Sequence, residues 1–242
     1  MHAPGNPLIV AATRYEAGLF LGDRARHGHW KELADADVWS GSGLGGYVGV
    51  TGVGVDRARQ GMESLLISSR DISTVVGIGF AGGIHPEAKA GDLVIPSEIS
   101  ANGGSICPEP ALRRSLSAFG LGKTWSRLAT CEDFLTSARS KEELFRNTGV
   151  EAVDMESAAW GEVCRNRGIP WAIVRSILDR ADEEIPLFLG EAVDARGRTR
   201  PSVVARWFLR PSRILILLRW HHRSRAIVNP SVQSVVDGWL SK

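Results

Sequence analysis

The chain is poor in cysteine. Cys107, Cys131 and Cys164 are the three it has, 24 and 33 residues apart. They form no zinc-type pair, and an odd count fits a reducing compartment better than a disulfide framework. No run of 18 apolar residues exists, so no membrane span is expected. The first residues, MHAPGNPLIVAATRYEAG, lack a basic stretch followed by a long apolar one, and no signal peptide is expected. The six histidines show no H-x-x-x-H spacing, and the side chains of adjacent His221 and His222 diverge, so no metal site is expected. No serine stands in a G-x-S-x-G elbow, which leaves an esterase without support.

Acidic residues are missing from one segment. Between Ala195 and Val236 there are nine arginines, no lysine, and no Asp or Glu. The remaining 200 residues carry 20 basic and 27 acidic groups, although the whole chain is at +2. A nucleic-acid protein would more often be basic in its main body. Aromatic residues in the basic segment are confined to Trp207, Phe208 and Trp220, short of the interleaved pattern of single-strand binders. No nucleic-acid partner is expected.

What is present reads as a globular protein. The length of 242 residues suits one large α/β domain or two small ones. Hydrophobic residues make 43% and charged residues 23%, which argues against disorder. Short apolar runs read as strands: Leu8–Ala12, Gly46–Val53, Thr74–Ile78, Asp92–Pro96 and Trp171–Ile177. Helical spacing marks Asp56–Ser69 and Ala152–Asn166, the latter stopped by Gly168 and Pro170. Strands that are apolar throughout and alternate with helices predict an α/β sheet covered on both faces. Leu209-Arg210-Pro211-Ser212 breaks any long C-terminal helix. The simplest division is a single domain, 1–242, with a distinctive Arg-rich C-terminal segment at about 195–236.

In open α/β sheets, ligands collect beyond the carboxyl ends of strands. Three features fall there. Gly52-Val53-Gly54 leads into a helix, and such a turn is either an anion site or an ordinary tight connection. Gly79-Phe80-Ala81-Gly82-Gly83 lets the backbone pass close to a ligand, or is merely a glycine-rich turn. Asp179 follows the strand WAIVRSI. It is a general acid if burial raises its pKa, and a solvated loop acid if Arg175, Arg180 and Asp182 surround it in water. On a helix, Glu156 shares a face with Ala159, Trp160 and Val163, so it points inward, where a carboxylate needs partners. Asp154 falls nearly opposite, toward solvent or as a cap.

Taken in order, GIGFAGGIHPEAKAGDLVIP (77–96), CEDFLTS (131–137), VDMESAAWGEVCRNRGIPWAIVRSILDRAD (153–182) and, more loosely, VAATRYEA (10–17) resemble the nucleoside phosphorylase and nucleosidase superfamily that cleaves purine nucleosides. That resemblance implies a three-layer αβα sandwich around a mixed, twisted sheet, and a homodimer or larger assembly. It implies that Glu156 binds ribose hydroxyls and Met155 packs on the sugar. Phe134 would stack on the purine and Leu135 would offer backbone hydrogen bonds. Asp179 would protonate the purine on its N7 side. Glu16 would orient a water, as in the nucleosidases, and Ala81 and Gly82 would lie along the nucleoside. Gly54, Arg14 and Arg57 are the candidates for a phosphate, the co-substrate of the phosphorylases; no other cofactor is implied. An aspartate at 179 goes with 6-aminopurines in the superfamily and favours an adenine nucleoside.

Two departures qualify the match. Leu178 stands where the adenine nucleosidases carry a small polar residue. The stretch ANGGSICPEP lacks their tyrosine- and histidine-bearing loop. The ending, residues 187–230, most resembles the phosphorylases associated with hopanoid biosynthesis, which release adenine from adenosylhopane. That resemblance implies phosphorolysis of a nucleoside with a bulky apolar 5′ substituent; the alternative is a hydrolytic methylthioadenosine or adenosylhomocysteine nucleosidase. Leu209, Ile214, Leu215, Ile216, Leu217, Leu218 and Trp220 beside Arg206, Arg210, Arg213 and Arg219 either meet an anionic membrane surface from the cytoplasmic side or form a final core helix with snorkelling arginines.

Overall fold

The computed structural model describes residues 6–42, 44–69, 71–101, 103–120, 122–186, 188–191, 194, 196, 198, 200–207 and 210–241. Among the described residues, ten strands build one sheet. They are β1 (Asn6–Ala11), β2 (Gly28–Glu32), β3 (Asp37–Gly41), β4 (Tyr47–Val50), β5 (Ile72–Gly83), β6 (Leu93–Ala101), β7 (Gly104–Ile106), β8 (Thr124–Thr130), β9 (Ala152–Asp154) and β10 (Trp171–Asp179). The path runs β2-β3-β4-β1-β5-β9-β8-β6-β10, and β10 pairs back onto β5. That return closes five strands into a ring and leaves β1 to β4 as an open wing. β5 lies parallel to β1 and β10, whereas β9 is antiparallel to β5 and β6 to β10. The sheet is therefore mixed, as the resemblance implies.

Helices α1 (Arg14–Leu21), α2 (Val55–Ser68), α3 (Pro110–Ser117), α4 (Ala138–Thr148) and α5 (Ser157–Asn166) lie between the strands. The C-terminal part holds α6 (Phe188–Glu191), α7 (Pro201–Trp207), α8 (Pro211–Arg223) and α9 (Asn229–Leu240), with one wide turn, Ser224–Val228, joining the last two. Strand β1 shows why its sequence is apolar throughout. Leu8 and Val10 pack with Met62 and Leu65 of α2 and with Ala159, Trp160 and Val163 of α5. Ile9 and Ala11 point the other way, against Phe20 and Leu21 of α1 and Val232, Val235 and Val236 of α9. Both faces are buried, so neither is polar. Gly61 lets α2 come this close: a Cβ there would lie 2.6 Å from the Thr51 backbone.

The helix expected from Ala152 begins instead at Ser157, behind the short strand β9. Ala152 and Val153 pair with Gly83 and Gly82 of β5 on one side and with Leu128 and Ala129 of β8 on the other. Pairing on two edges outweighs the helical spacing of the same residues. The C-terminal segment divides. α9 belongs to the core, while α8, opened by Pro211, leaves Leu215 and Leu218 68% and 56% exposed. Phe208 and Leu209 lie outside the described residues. Among the described residues, no helix is long and apolar enough to cross a membrane.

Candidate functional site

A cavity of about 510 Å³ opens where β5, β9 and β10 end and α1 begins. Its size is ordinary for a small-molecule site. Glu16, Ala81, Gly82, Phe134, Leu135, Met155, Glu156 and Asp179 all line it. Residues far apart in sequence meet because three neighbouring strands finish together. Asp179 at the end of β10 is in register with Gly82 of β5, and Gly82 with Val153 of β9.

Glu156 stands between β9 and α5, at the residue before the helix, and not on a helical face. It is buried nonetheless. One carboxylate oxygen accepts the Gly54 N–H at 3.0 Å, and the other lies 3.5 Å from Nη2 of Arg175. Burial pushes the Glu156 carboxyl up to about 8, against the pull of Arg175; nearby Asp154 and Glu16 add to the rise, and the Gly54 N–H opposes it. Asp154 does not face solvent. Its carboxylate meets Arg175 Nη2 at 2.7 Å, accepts the Thr130 hydroxyl at 2.8 Å, and caps α5 through the Ser157 N–H at 3.4 Å and the Ser157 hydroxyl. Because the helix starts only at Ser157, the opposite-face rule does not apply to Asp154.

Arg175 joins these acids. It projects from β10, 1% exposed, with Nη1 donating to the Ile78 carbonyl at 3.1 Å and its guanidinium over the Trp160 ring. Glu16 reaches the same group from α1, 3.9 Å away. Three carboxylates thus surround one guanidinium. Glu16 also has a structural duty, forming a capping box with Thr13 at the start of α1. Its remaining oxygen accepts the Phe80 N–H at 3.1 Å. Gly79 makes that approach feasible. It holds φ at +145°, and a Cβ there would sit 2.4 Å from Glu16 Oε1 and 2.3 Å from Arg175 Nη1.

Asp179 is not a solvated loop acid. It is buried, and its Oδ2 meets Nζ of the fully buried Lys141 at 2.5 Å. Burial raises the Asp179 carboxyl, and Lys141 pulls the other way. Across the cavity, α8 contributes Leu217, Leu218, Trp220 and His221, while Phe80, Leu178 and Ile185 add further apolar surface. Tyr15 ties this roof to α1, its hydroxyl lying 2.8 Å from His221 Nδ1 and 2.5 Å from Ser224 Oγ.

The three phosphate candidates are not gathered. The Gly54 N–H is taken by Glu156, Arg14 bonds Asp37 at 2.8 Å, and Arg57 lies 3.9 Å from Asp35. None of the three lines the cavity. Conversely, sequence reasoning does not single out Arg175, Lys141, Asp154 or Tyr15 for the site. Arg175 carries a signal: a lone arginine inside the apolar strand WAIVRSI has to find buried acids. Lys141 carries none, because its neighbours in SKEELFRN are charged too.

The family model for the phosphorylase superfamily matches residues 9–209. The 5′-methylthioadenosine/S-adenosylhomocysteine nucleosidase of Shewanella halifaxensis is 26% identical over 189 residues, covering 68% of this chain and 82% of that protein. The corresponding nucleosidase of Shewanella denitrificans is 27% identical over 179 residues, covering 64% and 78%. Among solved structures, a mutant of the Helicobacter pylori nucleosidase, with 5′-methylthioadenosine in its active site, superposes with a TM-score of 0.70 at 16% identity, over 98% of this chain and 97% of that one. Futalosine hydrolase of Helicobacter pylori gives 0.70 at 18% identity over the same shares. These structural likenesses speak to the fold. With the family model covering most of its length, the chain belongs to the phosphorylase superfamily, whose fold it has.

Proposed function

We propose that this protein hydrolyses the N-glycosidic bond of an adenine nucleoside that carries an apolar 5′ substituent. The observation that carries the reading is the pairing of two buried acids, Glu156 and Asp179, on the walls of one cavity. Cleavage of this bond passes through a ribosyl cation, and adenine leaves poorly until N7 is protonated. Asp179 supplies that proton. Burial raises its carboxyl, which favours the protonated form needed of an acid. The buried Glu156 carboxyl hydrogen-bonds the ribose hydroxyls, while Glu16 and Asp154 supply a field that stabilises the cation. Phe134, 46% exposed at the cavity, stacks on the base while Leu135 offers it backbone hydrogen bonds, Met155 packs on the sugar, and Ala81 and Gly82 lie along the nucleoside.

Water rather than phosphate is the favoured nucleophile. Arg175 already faces three carboxylates, and Arg14 and Arg57 are paired elsewhere, so a phosphate would meet more negative than positive charge. Glu16 can accept a hydrogen from a water beside Phe80. The curated relatives are nucleosidases by name, which supports the same choice. The apolar roof of Leu217, Leu218 and Trp220 speaks for an apolar 5′ group. That roof also keeps the hydrocarbon-bearing adenosylhopane as the second reading of the substrate, with phosphorolysis as its expected chemistry.

The test is adenine release from 5′-methylthioadenosine and from a 5′-alkyl adenosine, each with and without phosphate. The proposal expects turnover in phosphate-free buffer. Turnover only with phosphate selects the phosphorylase, and no release by folded protein under any condition rejects both.

A further inference from the structure

The carboxylate of Asp179 is held by a lysine to which no sequence motif points. Lys141 lies on α4, a helix otherwise so polar that its arginines and glutamates read as solvated. Yet Lys141 is completely buried. Its ammonium meets three acceptors: Asp179 Oδ2 at 2.5 Å, and the carbonyls of Arg180 and Glu183, both at 2.8 Å. Three donors and three acceptors leave nothing over for a ligand. A buried lysine is costly unless it is paired, and α4 has an exposed face on which it would cost nothing.

We infer that Lys141 is the positioning residue for the acid: it fixes one oxygen of Asp179, leaves Oδ1 for the purine, and places a positive charge where the spent acid becomes an anion. The inference rests on the proposed role of Asp179. When the C1′–N9 bond breaks, its electron pair stays on the purine and the Asp179 proton goes to N7. A carboxylate is left behind, 2.5 Å from the Lys141 ammonium. Water then adds to C1′ and sheds a proton, and Asp179 takes a proton back from solvent. A cation beside Asp179 makes the acid stronger but narrows the pH range in which it still holds its proton. Other charged groups near Asp179 largely cancel. Glu183 and Arg223 pair with each other, at 2.7 and 2.9 Å, and Arg180 is paired with Asp182. Lys141 is the cation in direct contact.

The test is the pH profile of kcat/KM for adenine release in Lys141→Met, Lys141→Gln and Lys141→Arg. In the neutral variants the alkaline limb moves up by about 1–3 pH units, the usual displacement from one adjacent opposite charge. Lys141→Arg keeps the charge and returns the limb toward its wild-type position. A lysine that merely tethers the loop after β10 would lower the melting temperature and leave the limb in place. Where Lys141→Met does not fold, Lys141→Gln, whose amide can keep two of the three contacts, carries the test. A folded neutral variant with an unmoved limb overturns the inference. Wild-type protein that releases no adenine overturns the underlying reading instead, and the two failures are thereby told apart.

Discussion

The floor and the roof of the cavity are built on opposite principles. The floor is charged and redundantly held. Arg175 touches Asp154, Glu156, Ser157 and the Ile78 carbonyl, Lys141 saturates its donors, and every one of these groups is buried. The roof is apolar and lightly held. α8 is joined to the body through Tyr15 with His221 and Ser224, and through Arg223 with Glu183 and the Leu178 carbonyl. Leu218 on this helix is mostly exposed. On the proposed reading, rigid strands fix the groups that need precise geometry, and a peripheral helix faces the part of the ligand that reacts with nothing.

Breaking the floor has the largest expected effect. Asp179→Asn leaves the Lys141 contact with a neutral oxygen and removes the proton. Adenine release is expected to fall by about 10²–10⁴, the range for one general acid, with the circular dichroism spectrum unchanged. Glu156→Gln is expected to lose a similar factor, and it also probes the cost of the buried charge. Burial raises the Glu156 carboxyl in the folded protein to about 8, against an ordinary value of 4.5. The fold therefore binds more protons than the unfolded chain in this window, and its stability falls as pH rises through it. Melting temperatures should show Glu156→Gln gaining on the wild type from pH 5 to pH 8.5. A parallel pair of curves would contradict the placement of Glu156 in a low-dielectric cluster.

Smaller effects are expected from the roof. Leu217→Ser should raise KM for a 5′-alkyl adenosine about tenfold while moving kcat little, because loss of a few apolar contacts in a pocket costs about 1–3 kcal/mol. Adenosine itself, with no apolar 5′ group, should barely register the change. Tyr15→Phe removes the link to His221 and Ser224 and is expected to cost about 1 kcal/mol of stability, measured by denaturant unfolding.

The same division explains what is legible in the sequence. The apolar strands β1, β5, β6 and β10 and the helix α2 are visible there, because burial on both faces leaves an unbroken apolar run and helical spacing leaves a stripe. The short strands β7 and β9 are not, since three residues carry no periodicity and their pairing is decided by partners distant in sequence. The inward direction of Glu156 is expected on the strength of a helix that does not reach it; it follows instead from the Gly54 N–H and Arg175. The outward direction expected of Asp154 rests on the same mistaken helix. Lys141 is invisible, because what buries it is the loop after β10, far along the chain. The roof is visible as a composition of leucine and arginine. Its place over the cavity is not, because that follows from how α8 packs on Tyr15 and Glu183.

The central claim is that this cavity uses water to split an adenine nucleoside. It is tested most directly by running the reaction on 5′-methylthioadenosine in ¹⁸O-labelled water with phosphate present, and analysing the sugar by mass spectrometry. The account predicts free adenine and a ribose product carrying one ¹⁸O at C1. A sugar 1-phosphate without label, or no adenine at all from folded protein, would contradict it.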